Sequence, residues 1–255
     1  SLGLLPLKLN NINTLSIIAR LFGFIYTNGN ITYHKGDKTY VMQVYLGTEY
    51  DAEVFQRDLK QIGFKNGKIS YTETVQQVDN GRTITYQGIV GCFFKALGIP
   101  SGKKTTQTTS AIPDWILNGS KVIKREFLAG IQGGDGCKIR FNKIESGYYN
   151  YVCAATFMTT SGEHKDSLYS WMNQLQSLFS QFDIDCKVVE QKSKEDDRFQ
   201  VGVKMADTQA NLIQYYEHIG YRYCTTKMQQ SGITVDYLKS KERVFAERKA
   251  RVLQD

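Results

Sequence analysis

The sequence predicts an α+β protein made of two pseudo-symmetric units, each ordered helix, hairpin, helix, hairpin, helix. Three observations predict it. A short pattern occurs twice, LFGFIYTNG at 21–29 and LAGIQGGDG at 128–136, and its polar closing residues, Asn28 and Asp135, are separated by 135 − 28 = 107 residues. Each copy runs straight into a strand-like stretch, 30–34 and 137–142. The remaining strand signals come in adjacent pairs around turn residues, so strands pair with sequence neighbours into antiparallel sheets with helices on one face.

The elements follow in order. A helix at about 14–27 leads to a hairpin, 30–34 and 40–46, turning at Lys35-Gly36-Asp37. A helix at about 50–62 has Val54, Leu59 and Ile62 as candidate buried positions, and Gly63 closes it. A second hairpin, 67–74 and 82–87, turns at Asp79-Asn80-Gly81. A helix through 88–97 stops at Gly98-Ile99-Pro100. The second unit repeats this with helix 122–134, hairpin 137–143 and 149–158 around Ser146-Gly147, and helix 165–181. A hairpin, 184–191 and 198–204, turns through KSKEDD, and helix 206–219 ends at Gly220. The expected divisions are 1–99, a polar linker 100–121 with a short apolar PDWIL turn, 122–227, and a C-terminal stretch 228–255. Residues 228–252 read as a basic amphipathic helix, Leu238, Val244 and Phe245 among Lys239, Lys241, Arg243, Arg248, Lys249 and Arg251. One apolar edge packs and the charges stay in solvent; contact with a nucleic-acid backbone is the alternative.

Composition narrows the function. The chain of 255 residues has a formal net charge of +7, which fits a polyanionic partner. No stretch has the length of a membrane-spanning helix, and the first residues lack the layout of a signal peptide and read as the interior of a longer chain. The five cysteines (Cys92, Cys137, Cys153, Cys186, Cys224) are odd in number and form no C-x-x-C pair. With only three histidines (His34, His164, His218), dispersed, a zinc site or disulfide framework is not expected, and the reading is an intracellular, reduced protein. Cys137 reads as a packed residue, having no basic partner nearby.

The two repeated helices carry Gly23, Ala129, Gly130, Gly133 and Gly134. Helical glycine costs about 1 kcal/mol relative to alanine, so a cluster needs a reason, and two backbones in close approach supply one. A phosphate loop is the other source of such clusters, but no G-x-x-x-x-G-K-[ST] string occurs and the order is helix then strand. A duplicated unit also carries two equivalent polar side chains to one place, an arrangement for acting twice on a two-fold symmetric target such as double-stranded DNA.

These residues resemble the LAGLIDADG homing endonucleases, in the single-chain, two-motif form found free-standing or within inteins. Phe127 to Gly136 matches the motif strongly; Leu21 to Gly29 matches in its helix, Gly23 and Gly29, but carries Asn28 at the acidic position. The join GKKTTQ followed by Ile112-Pro113-Asp114-Trp115-Ile116, and the late segment GYRYCTTKMQQ at 220–230, also look like family segments. The resemblance implies a DNA-binding antiparallel β-saddle, helices on its other face, and metal-dependent phosphodiester hydrolysis of both strands across a minor groove. It implies Lys104 (with Lys103 as substitute) and Lys227 as assisting lysines, one per half. Carboxylate and amide oxygens of Asp135 and Asn28, at the negative ends of helix dipoles, suit Mg²⁺ or another divalent cation. Asn28 keeps one oxygen ligand and drops one charge, so cleavage is expected to be impaired or strand-biased.

The saddle should meet the major groove. Alternation puts Asn30, Thr32 and His34 on one face against Ile31 and Tyr33. In the second copy the polar set is Lys138, Arg140 and Asn142, shifted by one residue, which a bulge or a different strand entry would explain. Gln43, Lys68, Ser70, Thr83, Thr85, Gln87, Lys187 and Gln200 complete the candidates. The expectation is a monomeric, site-specific endonuclease on a long, imperfectly palindromic duplex. The alternative is a nucleic-acid-binding protein on the same fold that does not cleave, a maturase or a transcription regulator. Splicing by this chain itself is not expected, since no terminal His-Asn is present.

Overall fold

The computed structural model describes residues 4–253 except 9, 37, 66, 73–80, 107–110, 153–154 and 193–197, with backbone alone at 69–72, 152 and 192. The first repeated pattern closes helix α1 (Ile12–Asn28), whose start is capped by Asn11, its side chain accepting from the Thr14 N–H at 3.2 Å. Strands β1 (Gly29–His34) and β2 (Thr39–Leu46) follow, then α2 (Glu49–Gln61), capped by Thr48. Strands β3 (Lys68–Thr72) and β4 (Gly81–Gln87) and helix α3 (Ile89–Ala96) complete the first unit. The join holds a 3-10 turn, Lys104–Thr106, and the short helix α4 (Asp114–Leu117). The second pattern closes α5 (Lys121–Asp135). After it come β5 (Arg140–Lys143), β6 (Tyr149–Val152), β7 (Ala155–Ser161), α6 (Lys165–Ser180), β8 (Cys186–Lys192), β9 (Arg198–Met205), α7 (Gln209–His218) and α8 (Thr225–Val252).

All described strand pairs are antiparallel. The first sheet has the order β1-β2-β4-β3 and the second β7-β9-β8, with β5-β6 a separate two-stranded ladder. The inner faces, Met42, Val44, Leu46, Ile84 and Tyr86 in one sheet and Val201, Val203 and Met205 in the other, join α1, α2, α3, α5, α6 and α7 in one core. Burial of each large apolar side chain there stabilises the fold by about 1.5–3 kcal/mol. Aromatic contacts cross between the units: Tyr26 of α1 stacks on Trp171 of α6 with ring centroids 5.2 Å apart.

At the centre α1 and α5 meet backbone to backbone. A Cβ added to Gly23 would lie 2.4 Å from the Phe127 carbonyl oxygen and 3.0 Å from the Ile131 nitrogen. One added to Gly130 would lie 2.3 Å from the Arg20 oxygen and 3.0 Å from the Phe24 nitrogen. Every residue in the second contact is the partner of one in the first at the same spacing as Asn28 and Asp135. The glycines are therefore required by approach distance, not by backbone conformation.

One expectation changes. The expected strand 149–158 is described as two, β6 and β7, with 153–154 between them outside the described residues; Gly136 bridges Thr156, and Arg140 pairs with Val152. Ile139 is buried, and Phe141, Tyr149 and Tyr151 form a ring cluster that reaches Tyr237 of α8. The predicted turn residues Asp79 and Asn80 and most of KSKEDD fall outside the described residues. Val54 is half-buried while Leu59 and Ile62 are buried.

Candidate active site and nucleic-acid interface

Asn28 and Asp135 are each the last residue of their helix, and each is followed by a glycine whose N–H caps it, Gly29 to the Ile25 carbonyl and Gly136 to that of Gln132. A helix end leaves further carbonyls without donors. Lysines supply them. The Lys104 ammonium donates to the carbonyls of Ile25 at 3.2 Å, of Gly29 at 2.6 Å, and of Tyr26. The Lys227 ammonium, from the first turn of α8, donates to the carbonyls of Gln132, Gly133 and Gly134 at 3.2, 2.9 and 2.8 Å. An ammonium has three protons, so each lysine has its donors committed to the helix end. The two lysines expected to assist thus each set a positive charge at the negative pole of a helix dipole. Lys103 beside Lys104 is exposed. Burial pushes the Lys104 ammonium down to about 8 despite Asp135, and lowers Lys227 despite Cys224 and Asp135.

Asp135 is half-buried, and no described residue donates a hydrogen bond to its carboxylate. Desolvation pushes its pKa up to about 6, with Lys104 and then Lys227 pulling the other way. It opens into a cleft of about 280 Å³ lined also by Tyr26, Thr27, Lys104, Met158 and Thr159, so the lysine of the first unit faces the carboxylate of the second. Asn28 differs. Its amide nitrogen donates to the Tyr45 carbonyl of β2 at 3.3 Å, leaving the amide oxygen as a neutral acceptor. Among the described residues no three or more His, Cys, Asp or Glu side chains cluster. The donor set is thus one side-chain oxygen per helix end, which suits a hard cation that fills most of its shell with water and substrate oxygens.

Strand β7 of the second sheet lines this cleft through Phe157, Met158 and Thr159. In the first sheet, register aligns Asn30, Gln43, Thr85 and Lys68 in one row, Thr32, Val41 and Gln87 in the next, and Tyr45, Thr83 and Ser70 in a third. His34 is exposed at the end of the same face. Thr83 sits on that face and is 8 % exposed. The Ser70 side chain lies outside the described residues. In the second sheet Gln200 pairs with Gln191 and Thr159, and Lys187 with Lys204. Lys138, Arg140 and Asn142 are all exposed on the β5 side.

Sequence reasoning missed the polar seal under the helix pair. Arg20 of α1 binds both oxygens of Asp58 at 2.6 and 2.7 Å and reaches Glu126 of α5 at 3.4 Å. Arg222 binds both oxygens of Glu126 at 2.8 and 2.6 Å, and the Tyr223 hydroxyl donates to Asp58 at 2.6 Å. Burial alone would raise Glu126; bonds from Arg222 and Arg125 and the charge of Arg20 hold it below the ordinary carboxylate range. Thr225 adds two bonds to Asp51 at 2.8 and 2.6 Å, which fixes the start of α8 and with it Lys227. The available signal was a charged residue interrupting each apolar helix, Arg20 and Glu126.

No family model matches the chain. It is 30% identical over 256 residues to the tRNA-splicing ligase RtcB of Methanocaldococcus jannaschii, an alignment covering 94% of this chain and 25% of that protein. Two other proteins of that organism are also similar: the replication factor C small subunit (26% identical; 89% of this chain, 12% of that one) and the DNA-directed RNA polymerase subunit Rpo1N (25%; 99% and 19%). The chain therefore spans a quarter or less of each of these relatives. Among solved structures, I-DmoI in complex with DNA and Mn is similar at a TM-score of 0.51 and 12% identity, over 82% of this chain and 98% of that one. The LAGLIDADG meganuclease I-AabMI bound to uncleaved DNA has a TM-score of 0.48 and 14% identity, over 92% and 96%. The fold is that of the homing endonuclease I-DmoI, as the sequence resemblance implied.

Proposed function

We propose that the chain is a homing-endonuclease module carried within a longer host protein, a monomeric enzyme that hydrolyses phosphodiester bonds of a long, imperfectly palindromic DNA duplex. The observation that carries this is Asp135: a half-buried carboxylate without a hydrogen-bond donor among the described residues, at the end of a paired helix, flanked by two lysines and opening beside strand β7. The relatives support the host reading. A ligase, a replication factor and a polymerase subunit share no activity by name, yet each matches nearly the whole of this chain over a quarter or less of its own length. An inserted mobile element, as in an intein, accounts for that pattern. The described helices include none long and apolar enough to cross a membrane.

Asp135 fits a divalent cation, and the Asn28 amide oxygen is the corresponding ligand at the other helix end. When bound, such a cation would lower the pKa of its water and stabilise charge building on the phosphate. The chain's own part is to aim these oxygens, to hold both lysine charges next to them, and to seat the duplex on the outer sheet faces. With no charge on Asn28, the first site holds the cation more weakly, and one strand is cut faster than the other.

The test is a supercoiled plasmid carrying the host gene sequence with the insertion removed, incubated with protein and Mg²⁺. Nicked circle should accumulate ahead of linear DNA, and Asn28→Asp should shift product towards linear. Tight binding with no cutting by either protein favours the second reading, a binding protein that does not cleave, for which Asn28 is the supporting observation.

A further inference from the structure

We infer that α8 beyond Leu238, with the β5–β6 hairpin packed on it, is a second DNA contact: a phosphate-binding arm that lengthens the footprint on the side of the second unit. The inference rests on the duplex-binding reading above.

Residues 239–251 carry six basic side chains (Lys239, Lys241, Arg243, Arg248, Lys249, Arg251) against Glu242 and Glu247, a net +4 of the chain's +7. Leu238 is the last buried residue of the helix. Two contacts hold the next turns. The Tyr237 hydroxyl accepts from the Tyr149 N–H at 2.7 Å, and Phe245 lies against Tyr148 with ring centroids 5.3 Å apart. Lys241 sits over both of those rings, at 5.7 and 5.9 Å. From Phe245 to the end of the helix every residue is exposed. Beyond Phe245 the helix is exposed on every side; it persists because Ala246, Glu247, Arg248, Lys249, Ala250 and Arg251 are helix formers. Lys239 pairs with Glu217, but among the described residues Arg243, Arg248, Lys249 and Arg251 have no anionic partner.

A rigid, cationic rod with unpaired charges fits a regular line of negative charge. From Phe245 to Arg251 the helix advances about 9 Å, the axial length of roughly three base pairs. The hairpin beneath presents Lys138, Arg140 and Lys143, exposed, so sheet and rod offer one continuous basic surface. The first unit ends in the join and the four-residue α4, with no comparable helix, so the footprint should be longer on one side.

The experiment compares the full chain with a triple variant, Arg248→Gln, Lys249→Gln and Arg251→Gln, by salt-dependent binding and hydroxyl-radical footprinting on the duplex. These side chains are exposed, so the melting temperature serves as a check that the fold is kept. Each lost phosphate contact removes about 0.9 from the slope of log affinity against log salt, so the slope should fall by about 2–3. Protection should recede by about three base pairs at one end only. An unchanged slope and footprint, with the parent binding normally, overturns the arm and leaves the endonuclease reading intact, with an acidic protein surface as the rod's partner instead. A parent chain that shows no salt-dependent duplex binding overturns both.

Discussion

The ends of α1 and α5 share their scaffold and differ in one side chain. Each is closed by a glycine N–H and by a lysine that donates to three terminal carbonyls, Lys104 at α1 and Lys227 at α5. Each rests on a glycine that admits the partner helix. Yet α1 ends in Asn28, whose amide nitrogen is tied to the Tyr45 carbonyl, and α5 ends in Asp135, whose carboxylate has no hydrogen-bond donor among the described residues and lies in the field of two lysines. The difference teaches that packing and chemistry are constrained separately here. A change in the helix contact would drive two backbones apart, whereas one oxygen exchanged for an amide nitrogen at position 28 leaves every packing contact in place and removes a charge.

The comparison breaks most sharply at Asp135. Asp135→Asn makes the two ends alike, and metal-dependent cleavage should fall by about 10²–10³-fold in a plasmid assay. The same change should stabilise the fold. A carboxyl with a raised folded pKa favours folding when protonated; that contribution is present below about pH 4 and lost as pH rises through about 6. At pH 7 the native protein carries the full penalty, so the variant should gain about 1–2 kcal/mol, discounted for partial exposure. A melting temperature that falls at pH 7 would refute the buried-carboxylate account.

Gly23→Ala and Gly130→Ala test whether the scaffold is shared. Each added methyl meets a carbonyl oxygen of the other helix, and each should cost about 2–3 kcal/mol by denaturant unfolding, alanine's better helix propensity included. Costs that differ by much more than 1 kcal/mol would show that the two contacts are not equivalent. Asn28→Asp sharpens the comparison from the other side, raising cutting of the slower strand by about tenfold at limiting Mg²⁺, the scale of one charge-assisted ligand. The smallest effect is in pH. Cleavage that needs ionised Asp135 should decline below about pH 6, less so at high Mg²⁺, because a bound cation favours the ionised form. A rate flat from pH 7 to 5 would separate Asp135 from the chemistry.

Part of this was legible in order along the chain. The α+β class, the repeated order of helices and hairpins, and the placing of Asn28 and Asp135 at helix ends rest on local signals: helical and alternating periodicity, glycine after the last turn, and turn residues between strands. The close helix pair was legible too, because glycine clusters in a helix have few other causes. Less was legible where the decision is made far away in sequence. Lys104 and Lys227 were expected as assisting lysines; that each donates to the carbonyls of a helix end was not legible, because those acceptors come from segments 75 or more residues distant. Alternation placed Thr83 on the outer face, but not its burial there. The shifted polar set of Lys138, Arg140 and Asn142 was visible, while the contact of Tyr149 and Tyr151 with Tyr237 of α8 was not.

By itself the sequence determined which elements form, which residues end them, and that two helices must touch, since these follow from backbone sterics and short-range hydrogen bonding that act between near neighbours. Only the tertiary structure decided that Arg20, Asp58, Glu126, Arg222 and Tyr223 form one polar seal, that Asp135 lies between two lysines without a donor among the described residues, and that α8 leaves the core with Arg243, Arg248, Lys249 and Arg251 unpaired among those residues. Burial and partner choice set those outcomes, and both are sums over residues that only the folded chain brings together.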